Sequence, residues 1–196
     1  MSVIQKKQAA TFCPASREDW RQWLKENHRL KESVLLIYYK KQSNIPSIIY
    51  SEAVDEALCF GWIDSTRTSL GDDKFMQFFC KRKPKSVWSK INKEKVQRLI
   101  EEGLMTPAGY ECIKTAKQNG SWKILDDVEK LKIPKDLASG FKSWPGSKDY
   151  FMSLSRSVRK SILQWLVLAK RPETRQKRIS EIAELASQQL KPKQFR

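Results

Sequence analysis

Trp62 and Asp64 stand two residues apart, and Trp88, Ser89, Lys90 and Asn92 fall within one short run further along the chain. If the first pair lies on a strand, Trp62, Asp64, Thr66 and Thr68 face one side, while Ile63, Ser65 and Arg67 face the other. A tryptophan and a carboxylate then share a surface. If Ser89 begins a helix, the free backbone N–H groups and positive dipole end beside Trp88, Lys90 and Asn92 favour an anion. The two groups together are expected to wall a pocket that stacks a planar group and binds its acidic end. The competing assignment makes both tryptophans core anchors, Ser89 only a cap, and Asp64 the partner of a nearby Lys or Arg.

A second kind of chemistry resides in charge. The chain has 38 basic and 22 acidic residues, for a formal net charge of +16. Residues 81–98 alone carry eight basic side chains against Glu94. Within them Lys81, Arg82, Lys83 and Lys85 form a candidate polyanion-binding surface, through local field and counterion release. Lys170, Arg171, Arg175, Lys177 and Arg178 form a second cluster. The alternative is an ordinary solvated face of a basic protein.

Several function classes are excluded by what such chemistry needs. His28 is the chain's one histidine, and no G-x-S-x-G elbow occurs, so Ser/His/Asp and Cys/His hydrolysis lack a base beside a nucleophile. His28 lies among Lys25, Arg29 and Lys31 and reads as a helix C-terminal cap. One histidine, dispersed cysteines and no dense carboxylate cluster leave no metal site to predict. Neither G-x-G-x-x-G nor G-x-x-x-x-G-K-[ST] is present, so nucleotide folds are unsupported and no cofactor is expected.

The elements that must position these residues follow from periodicity and caps. Ser16 with Asp19 opens a helix carrying Trp20, Trp23 and Leu24. Val34–Tyr39 is continuously apolar and fits a strand covered on both faces. Tyr50 and Ser51 open a helix that Gly61 ends as a left-handed cap. The runs 62–70 and 75–81, joined across Gly71, Asp72 and Asp73, read as an antiparallel hairpin. Ser89, Thr106 behind Pro107, Ser155 and Pro172 each start a further helix. The stretch 121–147 is less regular, with Leu137, Phe141 and Trp144 as anchors. The expected fold is α+β: a small antiparallel sheet of about three strands with N-terminal helices, followed by a predominantly helical C-terminal half.

Residues 1–11 are expected to be a disordered tail. Residues 12–190 are expected to form one domain, with an α/β lobe at 12–86 and a helical lobe at 87–190. Residues 191–196 are a second tail. Cys13, Cys59, Cys80 and Cys112 are too scattered for a zinc knuckle or a redox pair and read as free thiols. No apolar segment follows Lys6 and Lys7, and apolar runs such as that at 165–169 are far short of the roughly 20 residues that span a bilayer. A cytoplasmic location without a membrane span is expected.

Three strings, EALCFGWID at 56–64, WSKINKEKVQRLIEEGLMTPAG at 88–109 and AKRPETRQKRI at 169–179, carry a family likeness, together with LSRSVRKSI at 154–162. In this order they resemble the signature blocks of the YdeI/OmpD-associated (bacteriocin-protection) family. The resemblance implies protection against bacteriocins or antimicrobial peptides and a link to an outer-membrane porin. It supplies no catalytic residues. The missing signal segment argues against the porin link, and like charge argues against direct trapping of cationic peptides.

The expected function is therefore a binding or stress-tolerance protein that contacts an anionic small molecule. The alternative is a nucleic-acid-binding accessory protein in which Trp88 stacks on bases. A further alternative is an enzyme with Asp64 as acid or base.

Overall fold

A computed structural model describes residues 9–196 of the chain and divides it into two compact units, one ending at Trp122 and the other spanning Lys123–Arg196. Residues 1–8 of the expected N-terminal tail lie outside the described residues. Thr11, assigned to that tail from sequence, pairs instead in a short strand.

The first unit is built on a sheet in the order β1-β2-β4-β3. Its strands are β1 (Thr11–Phe12), β2 (Ser33–Tyr39), β3 (Trp62–Ser69) and β4 (Lys74–Lys81). The pairs β2/β4 and β3/β4 are antiparallel, with Val34 opposite Phe79 and Trp62 opposite Lys81. The two-residue β1 adds a parallel edge to β2, so the sheet has four strands where sequence gave about three.

Strand β2 corrects one expectation. Val34, Leu36 and Tyr38 are buried, while Leu35, Ile37 and Tyr39 are only half-buried. Its continuous apolar run therefore has one core face and one partly wet face. Strand β4 is the one buried on both faces, from Gln77 through Cys80, because β2 and β3 flank it.

Helix α1 (Arg17–Asn27) starts with a capping box: Ser16 Oγ accepts from the Asp19 N–H, and the Asp19 carboxylate accepts from the Ser16 N–H. Helix α2 (Tyr50–Cys59) has no hydroxyl cap; Glu52 reaches back to accept from the Ile49 N–H. Both helices lie on the core, where the Trp20 indole donates to Ala53 O at 3.0 Å and meets Phe79 edge-on. Two carboxylates adjacent in sequence tie α2 to its neighbours. Glu56, 1% exposed, accepts from Arg17 and Arg21 of α1, and Asp55 accepts from Lys95 and Arg98 of α3 (Lys90–Glu101). A carboxylate tolerates such burial only when paired.

Helix α4 (Pro107–Gln118) completes the unit. Thr106 does not cap it through its side chain. Its Oγ1 and its N–H instead both donate to Cys59 O, at 2.6 and 3.2 Å, which fixes the start of α4 against the end of α2. Gly109 makes the approach possible, because a Cβ there would lie 2.4 Å from Cys59 O.

The second unit holds α5 (Asp126–Glu129), α6 (Lys135–Lys142), α7 (Ser147–Ser153), α8 (Arg156–Val167) and α9 (Pro172–Ser187). Leu137, Phe141, Phe151, Ile162, Leu166, Ile179 and Ile182 are buried. Trp144, expected as an anchor, is 39% exposed; it sits at the turn after α6, three residues past that helix's last buried position, Phe141. The expected C-terminal tail is partly structured, with a 3-10 turn at Lys193–Phe195 and the Phe195 ring edge-on to Trp165.

Candidate functional site: a buried guanidinium between two cavities

Strand β4 ends at Lys81, and the next residue sets the site. Arg82 continues the ladder by donating its N–H to Gly61 O at 2.9 Å. The chain then turns back, so that the guanidinium lies 3.7 Å over the Trp88 ring and donates Nη2–H to Val87 O at 2.6 Å. Arg82 is only 8% exposed, and its Nε and Nη1 have no hydrogen-bond acceptor among the described residues. No carboxylate forms an ion pair with it among those residues. Burial pushes its pKa down to about 10, against a smaller upward pull from Cys112, Asp64 and Cys80. A buried arginine is ordinarily paired, since leaving such donors unmet costs free energy.

Arg82 lines three cavities of ligand size, and two of them also border Trp62 or Asp64. The first, about 420 Å³, also takes in His28, Phe60, Gly61, Trp62, Ala108 and Cys112. Gly61, at φ +71°, permits the sharp exit from α2 into β3, and a Cβ there would lie 3.1 Å from Ala108 O. His28 Nδ1 meets Leu24 O at 2.8 Å; a carbonyl only accepts, so Nδ1 carries the proton and Nε2 is left for another partner. The helix-capping role read from sequence is present, and the ring also borders the cavity. Arg29 and Lys81 add positive charge to this wall, against Glu111 alone.

The second cavity, about 530 Å³, is bordered by Asp64, Ser65, Thr66, Cys80, Lys83 and Arg82. Asp64 is engaged: its Oδ2 accepts from Tyr50 Oη at 2.6 Å and from Gln77 Nε2 at 3.1 Å. A bulge between Asp64 and Arg67 breaks the strict alternation expected along β3.

The residues singled out from sequence thus fall in different places. Trp62 borders the first cavity and Asp64 the second, and both indoles are 1% exposed. Trp62 donates Nε1–H to His28 O, while Trp88 is covered by Arg82 and packs on Trp122. Ser89 caps α3 by accepting from the Asn92 N–H, and Lys90 is exposed and pairs with Glu94. Lys81 and Arg82, both placed in the basic run from sequence, border both cavities, and of the two Arg82 is the buried one.

The run itself is not a uniform positive face. Lys81 pairs with Glu32, Lys95 with Asp55, and Arg98 with Asp55 and Glu102, whereas Lys83 and Lys85 are exposed. In the second unit, Arg175 is likewise bound to Asp136. Among the described residues no cluster of His, Cys, Asp and Glu has the arrangement of a metal site, and no helix is long and apolar enough to cross a membrane.

Fold and site together define a two-unit α+β protein with a cationic cleft at the open end of its sheet. Residues 12–112 match the family described as Domain of unknown function (DUF8412), over more than half of the chain, and the chain belongs to that family. Residues 130–189 match the family described as Bacteriocin-protection, YdeI or OmpD-Associated, as the resemblance read from sequence held. The blocks at 154–162 and 169–179 lie in this second match, and those at 56–64 and 88–109 lie in the first. No curated protein and no solved structure matches the chain.

Proposed function

We propose that the protein binds a small amphipathic anion, with a carboxylate, phosphate or sulfate head against Arg82 and an apolar body against Phe60 and Trp62. The observation that carries the reading is the buried, unpaired guanidinium on a cavity of ligand size. A guanidinium offers paired N–H donors to a planar or tetrahedral oxyanion, and such charge-assisted bonds are about twice as strong as neutral ones. The four free thiols support action in a reducing compartment. Any protection against cationic peptides then runs through the bound anion, because a chain of net charge +16 repels such peptides.

Trp62 and Trp88 report on the site. Benzoate and inorganic phosphate, titrated to about 1 mM, are expected to change tryptophan emission saturably, since a ligand bound by about 4 kcal/mol half-saturates there. Arg82→Gln removes the response. The reading fails if neither anion gives a saturable change, or if Arg82→Gln responds as the wild type does.

A further inference from the structure

Cys112 of α4 borders the same cavity as Arg82 and is partly exposed, whereas Cys59 and Cys80 are buried and Cys13 lies on the surface away from that cavity's lining. Arg82 is more than nine-tenths buried and keeps two nitrogens unpartnered among the described residues, so the cavity holds a thiol beside an unmet cation. We propose that Cys112 is a site of mixed-disulfide formation with small disulfides that carry carboxylates, which Arg82 holds while the sulfur is attacked. The inference rests on the anion-binding reading of the cavity and adds a covalent step to it.

The step balances without a further oxidant. The Cys112 thiol gives its proton to water, and the Sγ thiolate attacks the nearer sulfur of the disulfide. A new Sγ–S bond forms as the old S–S bond breaks, and the electron pair leaves on the outer sulfur, which takes up a proton from solvent. The protein thiol is oxidised to a mixed disulfide and half of the reagent is reduced to a thiol. A second thiol reverses the reaction by the same exchange.

Selectivity follows from two opposed effects on the sulfur. Burial pushes the Cys112 thiol up, and the Arg82 charge pulls it part of the way back. The group therefore stays protonated at neutral pH and reacts slowly with reagents that Arg82 does not gather. A carboxylate-bearing disulfide is concentrated at the cleft, where local charge raises encounter rates by about 10- to 1,000-fold. Glu111 on the cavity wall offsets part of that charge.

The experiment uses the full chain carrying Cys13→Ser, so that the exposed thiol is silent. Rates with dithiobis(nitrobenzoate), which has two carboxylates, and with neutral dithiodipyridine are each normalised to those of a small neutral thiol. The normalised anionic-to-neutral ratio is expected to reach about tenfold or more, and to fall toward one in Arg82→Gln and at high salt. Mass mapping should place the label on Cys112, and Cys112→Ser should remove it. A wild-type ratio near one, a ratio indifferent to salt, or label confined to Cys59 or Cys80 overturns the proposal, and the salt series decides even if Arg82→Gln does not fold. If benzoate or phosphate still binds while the ratio is near one, the thiol proposal falls and anion binding stands. If both are absent, both fall.

Discussion

Replacing Arg82 with Met removes the charge while keeping an unbranched chain, and it separates a ligand-binding cation from a structural one. The depression of the Arg82 pKa to about 10 corresponds to about 3 kcal/mol against the charged form, at about 1.4 kcal/mol for each pH unit. In its favour stand the contact over Trp88 at 3.7 Å, about 2 kcal/mol when desolvated, and the bond from the charged guanidinium to Val87 O, about 1.5 kcal/mol. Methionine gives up both but relieves the desolvation, and its sulfur regains part of the aromatic contact. The expected change in stability is within about 1 kcal/mol, whereas truncating one partner of a buried ion pair costs about 3 to 5 kcal/mol. Urea unfolding followed by tryptophan emission measures it, since Trp20, Trp23, Trp62, Trp88 and Trp122 all belong to the first unit. At 100 times the dissociation constant, a bound anion should add about 2.7 kcal/mol to the wild type and nothing to Arg82→Met. A loss above about 3 kcal/mol at an unchanged denaturant slope, or ligand stabilisation that survives the substitution, refutes the reasoning.

Glu56→Ala strands Arg17 and Arg21 and is expected to cost about 3 kcal/mol in the same unfolding assay; a loss below about 1 kcal/mol would show that the network is dispensable. Gly109→Ala drives a methyl group into Cys59 O and Met105 Sδ, each 2.4 Å away, and should cost about 1 to 3 kcal/mol. A neutral result would mean that α4 shifts freely off the end of α2. Arg175 beside Asp136 holds that carboxyl below its usual range. Its stabilisation is therefore present above about pH 4 and is lost as pH falls through the lower folded value. Asp136→Asn should flatten the acid limb of stability by no more than about 1 kcal/mol, the ceiling for a partly exposed pair, and an unchanged acid limb would contradict the assignment.

The helix starts and the hairpin were legible because their causes are local. Ser16, Ser89 and Ser155 each accept from the N–H three residues on, and the turn through Gly71 joins β3 to β4 as its composition requires. The cleft was not legible in the same way. Arg82 reads as one of several surface cations because nothing within its own run predicts burial; Trp88 covers it only after the chain reverses through 83–87. His28 and Cys112 border one cavity because Thr106 and Gly109 dock α4 on the end of α2, a contact between segments far apart in sequence. The hydrophobic pattern marks which face of a helix is buried, but it does not mark which cation is left without a partner there. The two-residue β1 carries too little pattern to be recognised at all.

The order of the sheet also constrains how the protein is made. Strand β2 emerges from the ribosome with an uninterrupted apolar run, VLLIYY, yet the partner that covers its inner edge is β4, with Val34 waiting for Phe79. Everything between them, including α2 and the whole of β3, must be synthesised first. At translation speeds of about 5 to 20 residues per second, that leaves β2 for seconds as a sticky, unpaired template of the kind that recruits other nascent chains. The hairpin of β3 and β4 closes locally and then has to capture β2 as a unit, so a delay in making residues 74–81 lowers the yield of soluble protein without altering the stability of any molecule that has already folded.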